Sequence, residues 1–375
     1  MKKILSVFGT RPEAIKTIPV MKELSGDFKV VNCVSGQHRE MLDQVLTLFE
    51  LEPDYDLDTM RSGQDLFDIT GNILNQVRGV LIKENPDMVI VQGDTTTTMA
   101  VSLASYYLKI PVAHIEAGLR TYDRYSPYPE EINRQIVSRI ASVHLAPTET
   151  ARQNLINEGI SSDSIFVTGN TVIDSILYTM KKTESESFND EFKKRNRSLS
   201  ESIANNQVIL ITGHRRESFG NAFEEICHAI KELAQIYSEI KFVYPVHLNP
   251  NVREPVNKIL SDQDNILLIE PLNYSDFVML MTKSFLILTD SGGIQEEAPC
   301  LDIPVMVMRE ITERVEALEA GVIKLVGTNK ESIVDSTIDI ISDQRKYDAM
   351  ANGYNPYGDG TASKKIRKII GSLSL

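Results

Sequence analysis

Short runs of β-branched and apolar residues alternate with longer helical stretches along most of this chain, and that alternation restricts the fold more than any other feature. Strands buried on both faces read as continuous apolar runs, and long crossovers between such strands belong to parallel sheets covered by helices. In the first half the strand runs are Lys3 to Phe8, Lys29 to Val34, Met88 to Val91, Val112 to Ile115, Val143 to Ala146 and Ile165 to Val167. From Met180 to Asn206 the chain turns polar and highly charged, with little apolar periodicity. A second set follows: Val208 to Thr212, Lys241 to Val246, Ile266 to Ile269, Phe285 to Thr289, Val305 to Met308 and Ile323 to Val326. With 375 residues, more than one core usually serves, the expectation is an α/β protein of two Rossmann-like, doubly wound domains facing a cleft. The first spans 1–180, a linker with a solvated helix spans 181–206, and the second spans 207–359. After the Asn355-Pro356-Tyr357-Gly358 turn comes a terminal helix with no strand to pair.

Charge and cysteine content narrow the function classes. The formal net charge of -13 argues against nucleic acid as a partner, because affinity for a phosphate backbone needs a basic surface. An anionic ligand would then depend on local cations and helix N-termini. The three cysteines, Cys33, Cys227 and Cys300, lie far apart and form no metal-ligand spacing, so neither a metal site nor a disulfide framework is indicated. The apolar stretch Ile4 to Phe8 is too short for a signal-peptide core, and no run approaches the roughly 20 apolar residues of a spanning helix. A cytoplasmic protein without a membrane partner is the expectation.

The polar motifs sit just after strand runs, where open parallel sheets bind ligands, which points to a site between the domains. Gly9-Thr10-Arg11-Pro12-Glu13-Ala14-Ile15-Lys16 follows the first strand: it is either an anion cradle in which Arg11 and Lys16 supply charge, or an ordinary helix start with Pro12 in its first turn. Gln92-Gly93-Asp94 leads into four threonines, more than one helix cap uses, and places Asp94 where an acid or base can act. In His114-Ile115-Glu116-Ala117-Gly118-Leu119-Arg120, Glu116 is costly to bury unpaired, and Arg120 four residues on is a candidate partner. Tyr128-Pro129-Glu130-Glu131 is what any helix start favours, yet Glu130 shares the rim predicted for Asp94 and Glu116. Carboxylates gathered in this way can divide acid and base roles.

In the second half, Gly213-His214-Arg215-Arg216 ends a strand and can clamp a diphosphate, or can be a surface basic turn. His247 and His38 each have a structural reading beside the functional one. Asp290-Ser291-Gly292-Gly293-Ile294-Gln295-Glu296-Glu297 presents backbone N–H groups to phosphate from Ser291, Gly292 and Gly293, and glutamates to ribose hydroxyls one turn later. No GxGxxG or GxxxxGK[ST] occurs in these segments, so a nucleotide-sugar is favoured over a nicotinamide or P-loop nucleotide.

In order, GTRPEAIK, GQHREMLDQVL, GDTTTT, HIEAGLRT, YPEEINR, GHRRESFG, PVHLNPNVREP, TDSGGIQEEAP and NPYGDG resemble the non-hydrolysing UDP-N-acetylglucosamine 2-epimerases over nearly the whole chain. The resemblance implies a glycosyltransferase-B-like fold, with the helix over 360–375 returning to the first domain. It implies interconversion of UDP-GlcNAc and UDP-ManNAc through anti elimination of UDP and its re-addition to 2-acetamidoglucal, for a cell-surface polysaccharide. It also implies a homodimer that uses no cofactor. Carried over residue by residue, Asp94, Glu116, Glu130 and His214 are catalytic. Arg11, Lys16, Arg215, His247, Phe277, Ser291, Gly292, Gly293, Glu297 and Arg314 bind substrate, and Gln37, His38 and Arg39 mark a regulatory subsite. The chain departs from the family pattern RxTTERPEA at Arg309-Glu310-Ile311-Thr312-Glu313-Arg314-Val315, and carries Cys300 and Asp302 where Ser and Gly are common. Other readings are a UDP-sugar glycosyltransferase of the same fold, an epimerase of another UDP-N-acetyl sugar and a non-catalytic nucleotide-sugar binder.

Overall fold

The computed structural model describes residues 1–36, 39–59, 61 and 63–373. The chain divides into two units, Met1–Ser175 with Tyr357–Leu375, and Ile176–Pro356. Elements of the first are β1 (Lys3–Phe8), α1 (Arg11–Leu24), β2 (Lys29–Val34), α2 (Arg39–Leu48), β3 (Tyr55–Asp56), α3 (Leu66–Glu84) and β4 (Met88–Gln92). There follow α4 (Thr96–Tyr107), β5 (Val112–Ile115), α5 (Glu130–Ile140), β6 (Val143–Ala146), α6 (Glu149–Asn157), β7 (Ile165–Val167) and α7 (Thr171–Thr183), whose course carries the chain into the second unit. All seven strands pair in parallel in the order β3-β2-β1-β4-β5-β6-β7.

The second unit opens with α8 (Glu186–Arg195) and α9 (Arg197–Ile203). It continues through β8 (Val208–Thr212), α10 (Asn221–Ile236), β9 (Lys241–Pro245), α11 (Pro250–Leu260), β10 (Ile266–Ile269), α12 (Tyr274–Thr282), β11 (Leu286–Thr289) and α13 (Gly292–Glu297). It closes with β12 (Val305–Val307), α14 (Val315–Glu319), β13 (Ile323–Leu325), α15 (Lys330–Ser342) and α16 (Gln344–Ala351), after which α17 (Ala362–Ser372) returns to the first unit. Its six parallel strands run β10-β9-β8-β11-β12-β13. Each sheet therefore reverses its strand order beside its first strand, at β1/β4 and at β8/β11. Beyond the carboxyl ends of strands at such a reversal the flanking loops diverge and leave room for a ligand.

The apolar runs become strands because both their faces are covered. Every residue of β4 and of β11 is buried. The one strand without a matching run is β3, two residues that pair with Cys33 and Val34; so short a segment has no periodicity to read. Helix α1 begins at Thr10 with a capping box, in which the Thr10 hydroxyl accepts from the Glu13 N–H and the Glu13 carboxylate accepts from the Thr10 N–H. Helix α17 lays Ile366 and Ile370 against Ile4, Met21, Leu24 and Ile90, so the last helix completes the core of the first unit.

The charged stretch over 181–206 forms the end of α7 and then α8 and α9. Most of its charged residues face solvent, but Phe192 is 1 % exposed, and Leu199 and Ile203 are buried. Removing a fully buried Phe side chain costs about 3–5 kcal/mol, against under about 0.5 kcal/mol for a residue on a solvated helix. Phe192→Ala should therefore shift the denaturant midpoint of the second unit sharply downward. An unchanged midpoint would mean that α8 carries no packing load.

Candidate functional site

In the first unit the reversal point puts the turn after β1 beside the turn after β4, and one buried carboxylate joins them. Glu13 accepts at Oε2 from the backbone N–H groups of Gly9 (3.0 Å) and Thr10 (2.8 Å). At Oε1 it accepts from the hydroxyls of Thr95 (2.6 Å) and Thr98 (3.2 Å). Burial pushes its carboxyl above the ordinary carboxylate range, and these hydrogen bonds oppose the shift. Three of the four threonines of the run are thereby accounted for. Thr95 caps α4, the Thr98 hydroxyl also donates to the Gln92 carbonyl at 2.6 Å, and Thr97 meets the Ser35 hydroxyl at 3.2 Å.

Asp94 sits in the turn beyond β4, its carboxylate held by Arg134, whose Nε and Nη2 lie 2.9 and 2.7 Å from Oδ2. Asn133 donates to the Asp94 carbonyl at 2.9 Å. The turn is also fixed by His114, fully buried on β5, whose Nε2 lies 2.7 Å from the Gly93 carbonyl oxygen and so carries the proton. Burial drives the His114 pKa down to about 3, and the ring is neutral at pH 7.

Glu116 follows β5 with φ at +65°, in the left-handed region a non-glycine residue seldom adopts. Its carboxylate accepts from the Lys16 ammonium and the Gln92 amide, and from the Asn170 Nδ2 at 3.2 Å. A Cβ built on Gly93 would lie 3.7 Å from Glu116 Oε2, so Glu116 flanks the turn that carries Asp94. Arg120, the partner expected from sequence, instead grips Glu158, Nε to Oε1 at 2.6 Å and Nη2 to Oε2 at 2.9 Å. The reason is Gly118, whose φ of +93° turns the chain toward α6; a Cβ there would stand 2.1 Å from the Ala151 carbonyl oxygen.

Glu130 opens α5 one turn before Arg134, on the same helix face, and its Oε2 is buried with no hydrogen-bond partner among the described residues. Its neighbour Glu131 is the structural carboxylate, fully buried and held by the Thr121 N–H at 3.0 Å and the Gln135 amide at 3.0 Å. Arg11, half-buried at the start of α1, makes no ion pair or hydrogen bond among the described residues. The first unit thus gathers Asp94, Glu116, Glu130, Lys16 and Arg11 at the carboxyl edge of β1, β4 and β5. Gln37 and His38 lie outside the described residues, as does the side chain of Arg39.

The second unit repeats the device with different side chains. Asp290, fully buried after β11, accepts at Oδ2 from the N–H groups of His214 (2.7 Å) and Arg215 (2.8 Å). This locks the turn after β8 to the turn after β11. The His214 ring stacks on His247, centroids 5.4 Å apart, and its Nδ1 is 3.4 Å from Asp290 Oδ1. Burial lowers the His214 pKa while Asp290 pulls it up, and His247 and Arg215 lower it further. Arg215 and Arg314 converge on the backbone of Gly292, where a Cβ would come within 3.3 Å of Arg215 Nη2 and 3.2 Å of Arg314 Cζ. Arg314 is braced by Glu296 at 2.8 Å and Glu313 at 3.1 Å. A Cβ on Gly293 would meet Glu297 Oε1 at 3.5 Å, so the Ser291, Gly292 and Gly293 turn lies between the two arginines and Glu297. Phe277 is half-buried on α12, beyond β10.

Within 309–315 the departure from the family pattern falls on residues that bear none of this, whereas the Cys300 thiol donates to the Glu297 carbonyl at 2.8 Å. Ile311 is 75 % exposed. Val315 is the first residue of α14, a position that suits Pro without requiring it. The segment is held instead by Arg309 on Glu217 at 2.6 Å and on Glu313 at 2.8 Å, and by the Thr312 hydroxyl on Gln295 at 2.6 Å. Asp302 has φ at +58°, which Asp tolerates better than most residues.

Sequence reasoning passed over Glu13, Arg134, Asn170 and Asp290 as individual residues. The spacing of Thr10 and Glu13 is that of a capping box, and Arg134 stands one helical turn after Glu130, so both left a signal. Asn170, after β7, left none.

A family model described as UDP-N-acetylglucosamine 2-epimerase matches residues 22–371. The chain is 52% identical over 377 residues to the UDP-N-acetylglucosamine 2-epimerase of Escherichia coli strain K12, with 98% of both chains covered. It is 53% identical over 373 residues to a probable UDP-N-acetylglucosamine 2-epimerase of Ralstonia nicotianae, with 99% of both covered. The crystal structure of the UDP-GlcNAc 2-epimerase of Neisseria meningitidis bound to UDP-GlcNAc superposes with a TM-score of 0.90 at 50% identity, covering 99% of this chain and 100% of that one. With both sheets, both reversal points and the residues around them accounted for, the chain belongs to the UDP-N-acetylglucosamine 2-epimerase family.

Proposed function

We propose that this protein interconverts UDP-GlcNAc and UDP-ManNAc, with the carboxylates of the first unit acting on the sugar and the arginines of the second unit holding the diphosphate. The observation that carries the reading is the gathering of Asp94, Glu116 and Glu130 about one sheet edge in unlike surroundings: Asp94 paired with Arg134, Glu116 paired with Lys16 and bonded by two amides, and Glu130 with a buried oxygen unmet among the described residues. The related structure bound to UDP-GlcNAc supports the substrate.

In the forward half-reaction one of these carboxylates takes the proton from C2, the C1–O bond breaks, and its electron pair leaves with UDP. A C1=C2 double bond remains, giving 2-acetamidoglucal. Re-addition returns a proton to C2 from the opposite face and UDP to C1. Charge builds positively at C1 and negatively on the departing diphosphate, which calls for fixed carboxylates near the ring and cations near the phosphates. Arg134 and Lys16 keep two of the carboxylates in place without reorganisation during the reaction, and Arg215 and Arg314 meet the leaving group, with His214 assisting beside them. Glu297 accepts from the ribose hydroxyls, a role that its place beside the Gly293 turn supports. Gln37, His38 and Arg39 are proposed as the regulatory subsite and the working form as a homodimer, both on the family resemblance alone; the cytoplasm is proposed as its compartment, which three scattered cysteines fit.

The deciding experiment is incubation with UDP-GlcNAc alone in deuterium oxide. The expected result is UDP-ManNAc together with deuterium at C2 of both sugars, without an acceptor; a glycosyltransferase would give neither. Asp94→Asn and Glu116→Gln should each lower C2 exchange by at least about 10²-fold, as loss of an acid or base does, and leave UDP affinity within a few fold. Arg215→Ala and Arg314→Ala should instead weaken UDP binding by about 1.5–3 kcal/mol apiece, the worth of a hydrogen bond to a charged group, when measured by calorimetry. If the carboxylate variants lost UDP as sharply as the arginine variants, the division of labour would be wrong.

A further inference from the structure

The Glu116 carboxylate is surrounded by residues of unequal origin. Lys16 and Gln92 come from the same reversal point as the turns they flank, but Asn170 comes from the loop between β7 and α7, on the far side of β6 in the strand order. Asn170 is 3 % exposed, and both ends of its side chain are engaged. Its Oδ1 accepts from the Val172 N–H at 3.1 Å and caps the start of α7, while Nδ2 donates to Glu116 Oε1 at 3.2 Å. Its backbone N–H donates to the Tyr357 carbonyl at 2.7 Å. Gly169 is required at this contact, since φ there is +88° and a Cβ would lie 3.0 Å from the Tyr357 oxygen. The chain leaves the first unit at Ser175 and re-enters it at Tyr357, so Asn170 ties the point of re-entry to Glu116 within a single residue. A capping role alone would be served by Asp, Ser or Thr; the amide adds reach, with a cap acceptor on one atom and a donor to the carboxylate on another.

We propose that Asn170 is a positioning residue for the reaction, holding the Oε1 edge of Glu116 in its working orientation through its Nδ2–H. This rests on the epimerase reading of the site. Among the charged and titratable groups near Glu116 are Lys16 from α1 and His114 from its own strand, and the latter is neutral. A negative charge added at residue 170 raises the proton affinity of Glu116.

Asn170→Asp keeps the cap and the shape, removes the donor and sets a second carboxylate beside Glu116. Asn170→Ser keeps a capping oxygen but is too short to hold a donor on Glu116 as well, and it adds no charge. In the Asp variant, the limb of the pH profile for C2 exchange that reports Glu116 should move to higher pH by about one unit or more. The Ser variant should show kcat reduced by about 10²-fold with little change in KM, as a misplaced reacting group does. The Glu116 carboxyl, followed by 13C NMR in glutamate-labelled protein and assigned with Glu116→Gln, should titrate higher in the Asp variant than in the parent. Circular dichroism melts confirm that both variants are folded. A profile and a titration midpoint that stay put in Asn170→Asp, with kcat in both variants within about two-fold of the parent, would overturn the proposal. Failure of the parent protein to exchange C2 deuterium would instead overturn the epimerase reading, and the NMR midpoint would still decide whether Asn170 governs Glu116.

Discussion

A carboxylate that never touches the solvent organises the first half of this molecule. Leaving Glu13 charged in the interior would cost several kcal/mol if it were unpaired, and among the described residues no cation pairs with it. It is instead met by two backbone N–H groups from the turn after β1 and two hydroxyls from the start of α4. Such a carboxylate tolerates few alternative arrangements, because loss of any donor leaves a buried acceptor unmet. The turns carrying Arg11 and Asp94 are therefore registered to one another before any ligand arrives. Asp290 serves the second half in the same manner, gathering the N–H groups of His214 and Arg215. Both anchors sit where the strand order of their sheet reverses.

Seen this way, the two halves share a scaffold and differ in what it presents. The first displays three carboxylates tempered by Arg134 and Lys16, suited to moving protons and stabilising positive charge. The second displays guanidinium groups braced by Glu296 and Glu313 around a glycine turn, suited to a dianionic group. Bracing matters because an arginine already held in place loses less side-chain freedom when its ligand binds.

Much of the architecture was legible because apolar runs of three to six residues are too short for helices and, between longer helical stretches, become buried strands. The strands of both sheets match those runs to within a residue at either end, apart from the two-residue β3. The rim residues were legible as motifs, since Asp94, Glu116 and His214 each follow a strand directly. Their partners were not. The expected pairing of Glu116 with Arg120 ignored the turn at Gly118, whose direction is a property of φ and of the packing against Ala151, not of spacing. Asn170 reaches Glu116 across 54 positions of chain, and only the closing of the sheet brings them together. Long-range contacts of this sort are set by topology, and local pattern carries no record of them.

The return of the chain to its first unit has a bearing on how the protein comes into being. Ile366 and Ile370 of α17 belong to the same core as Ile4 and Met21, and Asp174 accepts from the N–H groups of Ala362 and Ser363 at the helix start. During synthesis the strands of the first unit emerge before those of the second, yet its core remains open until α17 has been made. The second unit, whose segments are contiguous, has no such wait. The part of the molecule that bears the carboxylates is therefore the last to be sealed, and a nascent chain lacking α17 would carry a complete second unit and an unfinished first one.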